Sequence, residues 1–181
     1  MAALAKIEFD KIFAGPPKVD ISLLVVADDL KRIERLADSF ERQLLTWRTK
    51  TSASLRGALQ TMMLDARKIA KAEAYVSAKP QIELAIGSVE DAMRAFGTPM
   101  HADPEFAEKL ETLRNLSPAA ARAVRKQLRR VEKMRVTSYN FCVDSYYALL
   151  AFLSELDPDD NQKESFVDPE KLEDSLRKAL V

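Results

Sequence analysis

Six cations stand within one short stretch: Arg122, Arg125, Lys126, Arg129, Arg130 and Lys133. At the angular step of an α-helix they share about 140° of one face, with Glu132 as the only acid among them and Arg135 set apart. Lysine and arginine at this density can track the phosphates of a nucleic acid or an anionic lipid face. The plainer reading is a solvated face that pairs with acids elsewhere, and Glu155 to Asp174 holds nine acids against two lysines. No aromatic residue interleaves with the six cations and no glycine-rich loop supports them, so the stacking chemistry of a nucleic-acid platform is missing.

Three further charges fall where apolar side chains are expected. Arg135 lies between Leu128 and Val131 on the apolar side of its helix, Glu73 falls on a hydrophobic seam, and Arg48 follows Trp47. A buried unpaired charge costs several kcal/mol, so each should meet an opposite charge or open into a cleft. An internal Arg–Glu pair is the expectation, with Glu73 the first partner for Arg135. The functional alternative is that Arg48 and Arg135 converge on an anionic ligand.

Little else suggests catalysis. His101 is the only histidine, in a loop between Pro99 and Pro104. Its spacing from Arg94 resembles the Arg–His spacing of some helical ribonucleases, but Gly97 and Pro99 intervene and the spacing carries no assignment. Cys142 has no neighbouring base and reads as a packed small side chain. Asn140, Asp144 and Tyr147 continue the solvent side of their helix. No histidine–carboxylate cluster calls for a metal, and no motif calls for a cofactor.

The element that must carry the basic row is a helix from Ser117 to Leu156. Ser117 can cap free N–H groups, and Pro118 suits a first helical turn. Val124, Leu128, Val131, Ser138, Cys142, Ser145, Leu149, Phe152 and Leu156 share its inner face, while Lys126, Arg129, Lys133, Asn140, Asp144 and Ala151 lie opposite. Asp157-Pro158-Asp159-Asp160 ends it.

Upstream, residues 22–79 are helical in pattern almost throughout. Val26, Leu30, Ile33, Ala37, Phe40, Leu44 and Trp47 alternate spacings of four and three, as a coiled-coil seam does. A four-residue stutter at Thr51 then recovers Leu55, Leu59, Met62, Ala66, Ile69 and Val76. Residues 49–54 then read either as a locally unwound stretch in one long helix, the favoured reading, or as a tight connection between two. Pro80 closes the segment, and a shorter helix from Gln81 to Phe96 is stopped by Gly97. Short helices starting at Asp103-Pro104 and Asp168-Pro169 are expected as well.

Residues 1–20 read as an arm in which Ile7, Phe9 and Phe13 either dock in a partner's groove or fold back on their own bundle. Residues 21–156 read as the bundle, and 157–181 as an acidic connector and a short C-terminal helix.

The expected fold is all-α: an elongated antiparallel helical bundle with long first and penultimate helices and coiled-coil-like seams. Lysine plus arginine and aspartate plus glutamate cancel at 28 each, so no global field draws in nucleic acid or membrane. One cysteine fits a reducing compartment. The N-terminal residues lack the apolar run of a secretory signal, which makes a cytoplasmic location the expectation. The expected function is noncatalytic protein–protein interaction or assembly, including self-association into a homo-oligomer. The alternative is binding of nucleic acid or an anionic surface through the basic row.

Overall fold

The computed structural model describes residues 3–20, 22–25, 27, 29–97, 108, 111 and 117–159. These residues form helices and connecting turns, with no strand among them. The elements are α1 (Phe9–Ile12), α2 (Ser22–Val25), α3 (Leu30–Ala66), α4 (Lys71–Gly97) and α5 (Pro118–Leu156). The protein is therefore an all-α helical bundle, and its two longest helices are α3 and α5, of 37 and 39 residues. His101, the helix expected at Asp103-Pro104 and the acidic C-terminal segment beyond Asp159 lie outside the described residues.

Each long helix starts as the side-chain chemistry dictates. At the start of α3, Asp29 Oδ1 accepts from the Arg32 backbone N–H at 2.6 Å. At the start of α5, Ser117 Oγ accepts from the Ala120 N–H at 3.3 Å. Both satisfy donors that a helix leaves unpaired in its first turn.

The stutter in α3 is real and stays helical. Trp47, Thr51, Leu55, Leu59, Met62 and Ala66 are buried in succession, so the seam steps by four where strict heptads would step by three. The expected single segment over 22–79 nevertheless breaks, first between α2 and α3, where Ala27 and Asp29 are not helical, and again later than the stutter. The chain turns over residues 67–70, where Arg67, Lys68 and Ile69 N–H groups bond back to Met63, Asp65 and Ala66 carbonyls. A new helix then starts at Lys71 and runs straight through Pro80. Pro80 and Val76 are both exposed, so the one hydrogen bond that the proline removes, to the Val76 carbonyl, is lost on the outer side of the helix. Ala74, Ala78, Ile82, Ala85, Val89, Ala92 and Phe96 hold the inner side of α4 on both flanks of the proline. Packing outweighs the local rule.

The chain divides into two compact units. Unit 1 consists of Met1–Gly15, Thr49–Met93 and Asn140–Val181, and unit 2 of Pro16–Arg48 and Arg94–Tyr139. In unit 1 the buried side chains include Phe9, Phe13, Leu55, Leu59, Met62, Ile82, Val89, Leu149 and Phe152. Ser145 is buried there too, its hydroxyl donating to the Phe141 carbonyl at 2.8 Å within the helix. In unit 2 the core joins Leu24, Ile33, Ala37, Phe40, Val124 and Val131, with Val19, Ala27, Leu36 and Leu128 packed against it. Trp47 meets Phe96 edge-on there, with ring centroids 5.3 Å apart.

The N-terminal arm belongs to unit 1, which corrects the docking-peptide reading of Ile7, Phe9 and Phe13. Phe9 and Phe13 are 1% and 2% exposed, and the Phe13 ring lies against Phe141 at 6.4 Å between centroids. The arm's backbone is tied as well. Ile7 N–H donates to Gln81 Oε1 at 2.8 Å, and Ala5 N–H to Asp65 Oδ2 at 3.2 Å. Burying two phenylalanines in their own core outweighs the fraying expected of a terminus. Gly15 leaves the arm at φ +64°, a left-handed conformation that glycine adopts without a Cβ clash.

Candidate functional site

The basic row on α5 lies in unit 2 and largely faces solvent. Val124, Gln127 and Val131 point inward, while Arg122, Arg125, Lys126, Arg129 and Lys133 are exposed. Among the described residues none of those five cations sits in an ion pair. Arg130, at the edge of the row, is engaged within its own unit: it bridges Asp38 at 2.7 Å and also pairs with Glu41. Those carboxylates stand three residues apart on α3 and hold the Arg130 guanidinium above its ordinary pKa, the Glu41 contact being the stronger cause. Among the described residues the row is thus five cations without an ion pair and one structural arginine.

Arg135 is paired, but not with Glu73. Its Nε donates to Glu132 Oε2 at 2.9 Å and its Nη2 to Glu132 Oε1 at 2.6 Å, a two-point grip across one helical turn. Its Nη1 donates to the Phe96 carbonyl at the end of α4. Arg135 is therefore a clasp that uses a carboxylate on its own helix to present cationic N–H groups to the last turn of α4, where carbonyls lack helical partners. The hydrogen bond to Glu132 is the main reason its pKa rises.

Glu73 is exposed in the first turn of α4, a position that suits an acid at the positive end of a helix. The break at 67–70 resets the helical register, so Glu73 turns away from the core that a continuous seam would have given it. Arg48 is half-buried. Its Nε is shut off from solvent without a hydrogen-bond partner among the described residues, and burial pushes the guanidinium pKa down. With Arg135 occupied by Glu132 and Phe96, the two-arginine anion site loses one of its members.

The remaining groups are quiet. Cys142 is free and fully buried, and burial pushes its thiol up to about 12, far from a reactive thiolate. Asp144 is exposed, with its carboxyl raised by partial desolvation. Among the described residues no group of three or more His, Cys, Asp and Glu side chains could hold a metal ion. No helix among them is long and apolar enough to cross a membrane.

Two surface features escape a residue-by-residue reading of the sequence. The first is an outward apolar row on α4. Val76 is 72% and Leu84 63% exposed, with exposed Pro80 between them. The second is segregation of charge. The stretches of unit 1 carry 12 Lys and Arg against 17 Asp and Glu, and those of unit 2 carry 16 against 11. The neutral total conceals two oppositely charged halves. Known proteins add no relative, since no family model, curated protein or solved structure matches this chain.

Proposed function

We propose that this chain is a noncatalytic helical protein that works by assembly, with a protein partner or with its own copies. The observation that carries this reading is the exposed row Val76–Pro80–Leu84 on α4, apolar surface on a helix whose inner side is already occupied. Its lone thiol, free and buried, suits work in the cytoplasm. Sedimentation equilibrium tests the assembly reading. The full chain should show a mass that rises with concentration into the high micromolar range, or should hold a partner in stable complex. Val76→Lys with Leu84→Lys should abolish either. A strict monomer in which this pair of changes alters no interaction would end the proposal.

A second reading has its own observation, the five exposed cations Arg122, Arg125, Lys126, Arg129 and Lys133 without ion pairs among the described residues. These cations would hold a polyanion through its phosphates. Binding should then fall steeply with salt as condensed counterions are released. Lack of affinity for DNA, RNA and anionic vesicles at low salt would eliminate this reading.

A further inference from the structure

The exposed face of α4 and the exposed face of α5 carry matching heptad rows. On α4, in unit 1, Val76, Glu83 and Glu90 follow one another at seven-residue steps, and all three are exposed. On α5, in unit 2, Arg122, Arg129 and Val136 do the same and are exposed as well. Seven residues advance a helix by about 10.5 Å, so the two rows have the same pitch. Laid antiparallel, they bring Arg122 to Glu90, Arg129 to Glu83 and Val136 to Val76. Laid parallel, they set Arg122 on Val76 and Val136 on Glu90, which leaves two charges against apolar side chains.

We infer that the partner of this surface is a second copy of the same chain, the basic row of α5 in one copy lying antiparallel along the outer face of α4 in another. The inference rests on the assembly reading above and names its occupant. Three further observations support it. Glu83 and Glu90 make no ion pair among the described residues, and neither do Arg122 and Arg129. The acid-rich unit 1 and the base-rich unit 2 would attract one another between copies, a complementarity that also disfavours a polyanion competing for the whole chain. Gly87 lies between the two glutamates, and a Cβ built there meets nothing within 4 Å. A mid-helix glycine is unfavourable by about 1 kcal/mol against alanine. Here it leaves a recess for the long stems of Arg125 and Lys126, whose methylenes can also cover Leu84.

The contact joins two different patches, so it is heterologous, and its geometry decides between a closed ring and an open chain of copies. A charge swap at one pair tests it by sedimentation velocity on the full chain at low salt. Circular dichroism confirms that each variant keeps its helices. Glu83→Arg alone and Arg129→Glu alone should each weaken self-association by about 10-fold or more, since each sets like charges opposite one another. Mixed in equal amounts, the two variants should co-assemble at one-to-one stoichiometry with wild-type-like association, because Arg at 83 in one meets Glu at 129 in the other, and the unchanged Glu83 meets the unchanged Arg129. A chain carrying both changes should regain self-association. Wild type that associates, with both single variants unaffected, would overturn this register while leaving assembly standing. Wild type that stays monomeric throughout would overturn it as well. Loss of binding to a short DNA duplex in Arg129→Glu, with self-association unchanged, would show the row to be a polyanion surface and overturn the inference.

Discussion

The two units are built from the same helices but held together differently. Unit 1 closes on large apolar side chains from an arm and three helical stretches, and its polar ties go mainly to the backbone of the arm: Gln81 to Ile7, Asp65 to Ala5. Unit 2 has its own core around Ile33, Phe40 and Val124, with Trp47 on Phe96, and two arginines of α5 add directional ties. Arg130 reaches the carboxylates of α3, and Arg135 reaches the end of α4. Burial is non-directional, whereas a guanidinium fork fixes one rotation of a helix against its neighbour. Unit 1 should therefore be the more sensitive to lost volume, and unit 2 to lost hydrogen bonds.

The largest expected effect is in unit 1. Phe13→Ala removes a ring that is 2% exposed and packed on Phe141, at a cost of about 3–5 kcal/mol. Urea unfolding should show it as a lower midpoint. A loss below about 1 kcal/mol would mean that the arm is an accessory to unit 1 and not part of its core.

Next comes the clasp in unit 2. Arg135→Ala strands Glu132 and the Phe96 carbonyl, and the side chain is only 15% exposed, so about 1–3 kcal/mol should be lost. Arg129→Ala, on the exposed side of the same helix, should change stability by less than about 0.5 kcal/mol. A double-mutant cycle should couple Arg135 to Glu132 and show no coupling to Glu73. Equal effects of the two arginine substitutions would erase the distinction between the units.

A smaller effect has the opposite sign. Gly57, in the unit 1 part of α3, has open space where a Cβ would stand, so Gly57→Ala should raise stability by about 0.5–1 kcal/mol. Thermal melts at low protein concentration would measure it. A loss would mean that something approaches this face closely.

The smallest effect depends on pH. Lys68 first, and then the Ala5 N–H, hold the Asp65 carboxyl below its ordinary pKa. The folded state therefore binds this proton less readily than the unfolded chain does. The stabilisation is complete above the unfolded value, about 3.9, and disappears as pH falls through the folded one. The protection of the Ala5 amide against hydrogen exchange, relative to its intrinsic rate at each pH, should fall below about pH 4. Asp65→Asn should flatten that dependence.

What was legible in the sequence followed from agreement among independent local signals. For α5, cap, proline, inner face and terminator all pointed to one helix, and its bounds and buried face are those expected. The stutter at Thr51 was legible because the hydrophobic spacing itself changes there. The turn at 67–70 was not, because it contains neither glycine nor proline and Ala66 to Lys71 reads as helix by propensity. Pro80 misled in the other direction: it costs one hydrogen bond to the Val76 carbonyl, and buried side chains on both of its flanks keep the helix going. Missing the turn then displaced Glu73 and Val76 from surface to seam. For Arg135, periodicity gave burial but not the partner. Glu132, three residues back on the same helix, was the nearer candidate.

Phe13 and Phe141 are neighbours in space and 128 residues apart in the chain. During synthesis the arm is made well before the part of α5 that covers it. At ordinary elongation rates that interval is on the order of ten seconds. Throughout it, Phe9 and Phe13 have no finished core to enter, and closing so long a loop brings its reward only at the end. Neither unit is a continuous segment, so no single cut releases one of them whole. A nascent or truncated chain ending before Asn140 would expose the two phenylalanines to whatever apolar surface is nearby. Such truncations should be bound by holding chaperones or aggregate, where the full chain folds.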